Sequence, residues 1–238
     1  MRSARIQNPG SKIENANALL FDFGGTLDAE GVPWKERFFR LWKDEGEDVS
    51  REEFDRAFYA ADDALVGALP ATLPLAGTAA RLARGIAEGL RTGGEVVPAR
   101  VAERFCRDAR ESLSRSAELL ERLKPRYRLG VVSNFYGNLA AVCREAGIGA
   151  LLSAAVDSAD VGCSKPDAAI FRAALDELGT EASETVFVGD SLERDMAGAR
   201  GVGMRHVLLA GDSREEPHCG CCPGDPVIRR LADLEKLL

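Results

Sequence analysis

Short apolar runs that end in polar residues recur along the 238-residue chain. Near-continuous apolar runs of this length are typical of strands that are buried on both faces of a parallel sheet. Stretches with helical periodicity lie between them, such as residues 138–146 and 166–178. Strands that alternate with helices predict βαβ units and an α/β fold. The runs that predict strands are residues 18–21, 129–132, 154–156, 185–189 and 206–209.

One long stretch breaks this alternation. From about residue 33 to residue 117 the pattern is helical, and no run there predicts a strand convincingly. Apolar residues recur at steps of three and four from Trp34 to Trp42, which predicts an amphipathic helix. Ser50 and Glu53 have the spacing of a capping box and predict the start of a second helix.

The break predicts two structural units. Residues 33–117 are expected to form an all-helical cap domain. Residues 1–32 and 118–238 are expected to form an α/β core with a parallel sheet of about five strands. A chain of this length can bury one core and still form a smaller second domain. Because the cap follows the first strand, we expect it to act as a lid over the strand edge.

Composition and net charge argue against nucleic-acid and membrane partners. Hydrophobic residues make up 45% and charged residues 29%, which is the balance of an ordinary globular protein. A formal net charge of -7 argues against nucleic acid as a partner, because phosphate backbones bind clustered Lys and Arg. The chain shows no apolar run typical of a signal peptide or a membrane span. We therefore expect a cytoplasmic protein with no membrane partner, as a monomer or homodimer.

Polar residues follow several of the predicted strands. Asp22 comes directly after the first run, Ser133 and Asn134 after the second, and Asp190 after the fourth. Ligands of open α/β sheets bind beyond the carboxyl ends of the strands. The sequence therefore predicts that three strands deliver polar groups to one place.

Each of these groups has a functional and an ordinary interpretation. A carboxylate on the tight turn before Gly24 and Gly25 can act as a nucleophile, although Asp before glycine is also common turn chemistry. Ser133 and Asn134 can donate hydrogen bonds to phosphoryl oxygens, or can cap the next helix.

The two later groups are equally ambiguous when each is taken alone. Lys165, just before a predicted helix, can neutralise a phosphoryl group, or can be a solvated surface lysine. Asp190 and Asp195 flank a strand-to-helix turn; they can form an oxygen-rich Mg²⁺ site, or can be acidic residues at a helix start.

The order of these groups along the chain resembles the haloacid dehalogenase-like superfamily at all four of its motif positions, from about Asn17 to Ala210. The resemblance implies a Rossmann-like core with an inserted helical cap, and a Mg²⁺-dependent hydrolase that acts on a small phosphorylated metabolite. It implies that Asp22 is the nucleophile and forms an aspartyl-phosphate, with Lys165 as the second catalytic residue. It further implies phosphoryl contacts from Ser133, Asn134 and Lys165, and metal ligands from Asp22, the Gly24 carbonyl, Asp190 and Asp195.

The chain departs from the family pattern at one position. Phosphatases of this family have an acid–base aspartate two residues after the nucleophile, where this chain has Gly24. Loss of such a group costs typically 10²–10⁴-fold in rate. The leaving group can be one that needs no acid, the substrate can supply its own acid, or a cap residue or Asp28 can supply the proton. A 2-haloacid dehalogenase, a phosphonate-cleaving enzyme with a cap lysine, and a non-catalytic phosphoryl-binding protein are the alternatives.

A compact group near the C-terminus is a second metal candidate. His218, Cys219, Cys221 and Cys222 could bind zinc. Their spacing is cramped, and the chain offers no second ligand pair of the usual kind. The alternative is a turn before the final amphipathic segment.

Overall fold

The computed structural model describes residues 13, 15–91, 94–212 and 225–238. The described residues form one six-stranded sheet in which all neighbouring strands are parallel. Its order is β3-β2-β1-β4-β5-β6, so β1 lies in the interior between β2 and β4. The strands are β1 (Ala18–Phe21), β2 (Arg128–Ser133), β3 (Ala154–Asp157), β4 (Thr185–Gly189), β5 (Arg205–Leu209) and β6 (Val227–Ile228).

The predicted α/β fold and its five strands are confirmed, and the sheet has one strand more. Strand β6 has two residues, Val227 and Ile228, and pairs with the end of β5. We expected an amphipathic segment here, and a two-residue strand is too short to show a period of its own. The chain then continues into a 3₁₀ turn over Leu231–Lys236.

Four helices connect β1 to β2, in the stretch where the sequence predicts helices alone. The Ser50 hydroxyl accepts from the backbone N–H of Glu53, and the Glu53 carboxylate accepts from the N–H of Ser50, so the capping box is confirmed. The predicted domain boundary at residues 117 and 118 falls inside α4, which runs through it without a break. The four helices are α1 (Trp34–Asp44), α2 (Arg51–Leu65), α3 (Leu75–Leu90) and α4 (Val96–Leu123).

Shorter helices cross between the remaining strands. The helix predicted from Pro166 begins two residues later, because the Asp167 carboxylate caps it by accepting from the N–H of Ala169. It ends at Gly179, which has the left-handed conformation expected of a helix stop. These helices are α5 (Leu139–Glu145), α6 (Ser158–Val161), α7 (Ala168–Leu178) and α8 (Ala197–Gly201).

Apolar side chains cover both faces of the sheet. Leu19 and Phe21 of β1 join a large cluster that includes the cap helices, whereas Leu20 faces the opposite side and packs with Phe171 and Phe187. Because both faces are covered, the middle residues of the strands are apolar, and polar residues stand mainly at the strand ends. None of the helices in the described ranges has the length and apolar content needed to cross a membrane.

Candidate active site

The site is built around Asp22, the first residue after β1. Its backbone is extended, and its N–H donates to the carbonyl of Val188 at 2.9 Å, which ties it to β4. Its side chain is almost completely buried. Gly25 then turns the chain away with φ of 96°, a conformation that favours glycine. The Asp22 carboxylate therefore lies at the carboxyl edge of the sheet, as the sequence predicts.

Lys165 forms the central ion pairs of this edge. Its Nζ lies 2.5 Å from Asp22 Oδ1 and 2.7 Å from Asp195 Oδ1, and its side chain is 3% exposed. Burial alone would lower the pKa of Lys165, but the charges of Asp195 and Asp22 raise it above its usual value. Lys165 is thus held as an ammonium between two carboxylates. The Ser133 hydroxyl also donates to Asp22 Oδ1, at 3.0 Å.

Three carboxylates form a candidate metal centre. Ligand oxygens of Asp22, Asp190 and Asp195 lie within 4.8 Å of one another. Burial, followed by the charges of Asp22 and Asp195, raises the pKa of Asp190 well above its usual value. Asp190 Oδ2 is buried and has no hydrogen-bond donor in the described structure. A buried carboxylate oxygen without a partner is costly, and a divalent cation with oxygen ligands would satisfy it. These residues therefore fit Mg²⁺.

The acidic turn after β4 is fixed by its own backbone. The N–H of Ser191 donates to Asp195 Oδ2 at 3.0 Å, while Asp195 Oδ1 faces Lys165. The Thr26 hydroxyl lies 3.3 Å from Asp190 Oδ1, which links this turn to the one after Asp22. Asp190 and Asp195 are therefore held by contacts from two separate strand ends.

Asn134 lies at the site in a way that the sequence does not indicate. Its amide nitrogen donates to the carbonyl of Lys165 at 3.1 Å, and its amide oxygen accepts from the N–H of Lys165 at 2.7 Å. The structure thus brings Asn134 to the predicted edge but engages its amide with backbone. This pair of bonds fixes the position of Lys165.

Asp28, which the sequence offers as a possible proton source, is a buried group beside the Asp22 turn whose contacts the sequence does not indicate. Asp28 is fully buried and accepts three hydrogen bonds, each of 2.7 Å, from the N–H of Gly25, Trp34 Nε1 and Arg37 Nη1. Three donors converge on its oxygens, so the Asp28 carboxylate acts as a hydrogen-bond acceptor for the turn and for the helix. The only signal in the sequence is the three-residue step from Trp34 to Arg37, which puts both on one helix face.

The second metal candidate of the sequence is the group near the C-terminus. His218, Cys219, Cys221 and Cys222 lie outside the described residues. Their possible role in zinc binding stays a prediction of the sequence.

Comparisons with known proteins agree on one family. A family model described as haloacid dehalogenase-like hydrolase matches residues 16–203. Haloacid dehalogenase-like hydrolase domain-containing protein 3 of Danio rerio is 36% identical over 105 residues, which are 44% of this chain and 43% of that protein. A pyrimidine 5'-nucleotidase of Escherichia coli (strain K12) is 30% identical over 148 residues, 60% of this chain and 65% of that protein. The matches thus span less than two thirds of each relative.

Solved structures share the fold. A dehalogenase in an intermediate complex superimposes with a TM-score of 0.66 at 20% identity, covering 94% of this chain and 97% of that one. Identity at this level indicates a common architecture and carries no information about the substrate of this chain.

Gly25→Ala is expected to destabilise the protein more than the same change at another glycine with positive φ. A Cβ at Gly25 would lie 2.5 Å from Asp190 Oδ2, whereas a Cβ at Gly46, with φ of 86°, meets nothing within 4 Å. Overpacking typically costs about 1–3 kcal/mol beyond the backbone penalty that both variants share. Urea denaturation of the two variants measures the difference. Equal losses would contradict the close packing of Asp190 on the turn.

Lys165→Met is expected to lower the free energy of unfolding by roughly 3–5 kcal/mol, because it leaves buried carboxylate charge without its partner. The matched control is Lys124→Met, since Lys124 is exposed and its ammonium donates to the carbonyl of Ala150 and is paired with no buried carboxylate in the described structure. Denaturant midpoints at neutral pH, without divalent cations, report both changes. Similar small losses in the two variants would show that the buried ion pairs are not formed.

Proposed function

The chain belongs to the haloacid dehalogenase-like hydrolase family, and on that premise we propose that it is a Mg²⁺-dependent phosphohydrolase acting on a small phosphorylated metabolite. Asp22 is the nucleophile and forms an aspartyl-phosphate intermediate. The proposal includes the domain division, with residues 33–117 as a cap over the core. A cytoplasmic location and a monomeric or homodimeric state remain predictions of the sequence.

One observation carries the proposal: Asp190 Oδ2 is buried without a donor, and the one buried lysine of the site already pairs with two other carboxylates. A site for halide displacement needs a nucleophile but no cation, so it has no use for three clustered acidic groups. A site for phosphoryl transfer needs positive charge to balance the phosphate and the nucleophile together. The three carboxylates and Lys165 meet that requirement once a divalent cation is bound.

The residues of the site have separate roles in this scheme. Asp22 attacks phosphorus with one carboxylate oxygen. Lys165 and the Ser133 hydroxyl, which contact Asp22 Oδ1, are within reach of the phosphoryl oxygens bound there. Asn134 positions Lys165 through its backbone and can offer its remaining amide hydrogen to the substrate. Asp195 keeps Lys165 charged and aimed at Asp22.

Bound Mg²⁺ would screen the charge of the phosphoryl group and orient it for in-line attack. Asp22, Asp190 and Asp195, together with the backbone carbonyl of Gly24, are the groups we assign to hold it. Relatives described as phosphatases support a phosphorylated substrate, and their variety leaves the metabolite open.

Turnover of acetyl phosphate and p-nitrophenyl phosphate is expected in the presence of Mg²⁺ and is expected to vanish in Asp22→Asn. That change keeps the shape of the side chain and removes the nucleophilic oxygen charge. Asp63→Asn, an exposed carboxylate of α2, is the control that should retain turnover. Phosphate release in steady state is the measurement.

The same assay tests the alternatives. Turnover of 2-haloacids without metal, with none on phosphates, would replace the proposal by dehalogenation. Failure on every phosphate and haloacid, with the fold intact, would leave the non-catalytic interpretation.

Mg²⁺ with beryllium fluoride is expected to raise the unfolding temperature of the parent protein, because that anion mimics a phosphoryl group on Asp22. A ligand at 100 times its dissociation constant stabilises by about 2.7 kcal/mol. The shift should be lost in Asp22→Asn and retained in Asp63→Asn. An equal shift in both variants would place the anion elsewhere.

A further inference from the structure

The space beside Gly24 is already filled. A Cβ built on Gly24 would lie 3.2 Å from Trp34 Nε1 and 3.4 Å from Trp34 Cδ1, tighter than side-chain packing normally allows. The backbone of Gly24 does not demand glycine, since its φ is -78°. The obstacle to a side chain at this position is therefore the indole ring of Trp34, and not the conformation of the turn.

The indole is fixed by polar contacts on one edge. Trp34 Nε1 donates to Asp28 Oδ2 at 2.7 Å, and the same oxygen accepts from Arg37 Nη1. Arg37 is held in turn by the ring of Phe105, at 4.0 Å from the guanidinium carbon, and by the carbonyl of that residue. Moving the indole would leave a fully buried carboxylate short of one donor, which is costly.

Four aromatic rings surround the indole of Trp34. The ring of Trp34 packs edge-on against Phe105 at 4.8 Å and Phe135 at 5.6 Å between centroids, and it contacts Phe38 and Tyr136 at 6.3 Å. Because these contacts hold the ring, we expect it to resist the shift that a carboxylate at position 24 would require. Such a carboxylate would also stand next to the buried charge of Asp28.

We propose that Trp34 is a specificity-determining residue: it fills the position from which an acid–base side chain would act, and thereby restricts the enzyme to phosphate compounds whose leaving group departs without a proton. Acyl phosphates and aryl phosphates form this class. The inference rests on the proposed function and names its substrate class.

The reaction balances without an acid on the protein. Asp22 donates an electron pair to phosphorus, and the bond from phosphorus to the leaving oxygen breaks. The pair departs on that oxygen, as a carboxylate or a phenolate, which is stable without protonation. Water then attacks phosphorus, the bond to Asp22 breaks, and Asp22 regains its electron pair. The protons of the water pass to phosphate and solvent.

Among the described residues, Asp62 is a further candidate to supply a proton, since its partner Tyr136 packs against Trp34. Asp62 of α2 accepts a hydrogen bond from the hydroxyl of Tyr136 at 2.5 Å, and burial raises the pKa of Asp62 above its usual value. It is the competing explanation for any cleavage of alkyl phosphates, so Asp62→Asn belongs in the test.

The test is the dependence of kcat/KM on the acidity of the leaving group, measured with acetyl phosphate, a series of substituted phenyl phosphates and an alkyl phosphate. In the parent protein, kcat/KM is expected to fall steeply as the leaving group becomes more basic. The Gly24→Asp variant alone should show the same steep fall in kcat/KM. Gly24→Asp combined with Trp34→Leu should gain about 10²-fold or more on the alkyl phosphate relative to Trp34→Leu alone.

A separate measurement distinguishes a folding defect from a loss of activity. Stabilisation by Mg²⁺ with beryllium fluoride reports an intact site in each variant. Trp34→Phe, a smaller ring in the same cluster, replaces Trp34→Leu in the pair if the leucine variant does not fold.

Two results would overturn the inference while leaving the proposed function intact. If kcat/KM depends only weakly on leaving-group acidity in the parent and steeply in Asp62→Asn, Asp62 is the acid. A gain on alkyl phosphate in Gly24→Asp alone would show that Trp34 is no obstacle. Absence of turnover on every phosphate would overturn the proposed function, and this inference with it.

Discussion

The buried ion pairs of Lys165 with Asp22 and Asp195 are the interaction on which the rest of the site depends. Placing carboxylates in the interior of a protein is unfavourable unless an opposite charge and hydrogen bonds compensate for the lost water. Lys165 supplies that charge, and Asn134 and Ser191 hold Lys165 and Asp195 through backbone contacts. One lysine faces three carboxylates, however, and Asp190 is left with an unpartnered oxygen. The protein alone leaves this cluster incomplete, in a way that a bound cation completes.

The parallel sheet explains why these groups meet. Strand β1 lies between β2 and β4, so the residues that follow the three strands share one edge. The middle residues of these three strands are apolar, which excludes water from the sheet and leaves the polar groups at the strand ends. Much of this arrangement could be predicted from the sequence, because a change from apolar to polar residues at the end of a strand is a local signal. Asp22, Ser133 and Asp190 were predicted in this way, whereas Lys165 was predicted from its place before a helix and Asp195 from the acidic turn after β4.

The features that could not be predicted from the sequence depend on contacts between residues that are far apart in the chain, or on segments too short to show periodicity. Trp34 belongs to an amphipathic stripe, which predicts cap packing; its contact with the space beside Gly24 follows only from the path of the turn. The sequence offers Asp28 as a possible proton donor, whereas its carboxylate accepts three hydrogen bonds in the structure. Asn134 was predicted to contact the phosphoryl group, and only the path of the chain near Lys165 reveals its backbone contacts. Strand β6 has two residues and is too short to show hydrophobic periodicity.

The segment from Asp22 to Arg37 joins the turn at the strand edge to the first helix after it. It places the Asp22 carboxylate, which we propose as the nucleophile, at the strand edge, and the indole ring of Trp34 fills the space beside Gly24. Asp28 links the two, since it accepts from the turn at Gly25 and from the helix at Trp34 and Arg37. A buried carboxylate satisfied from both sides makes the turn and the first cap helix one packed unit.

The most direct test of the account is calorimetric titration of the protein with Mg²⁺, compared with Asp190→Asn. The buried, unpartnered oxygen of Asp190 predicts that the parent binds the ion. Affinity should fall by roughly tenfold or more in the variant, because the charge of the ligands sets the affinity for such cations. Exposed Asp63→Asn should bind as the parent does. No binding by the parent, or equal binding by Asp190→Asn, would contradict the assignment of this cluster as a metal centre.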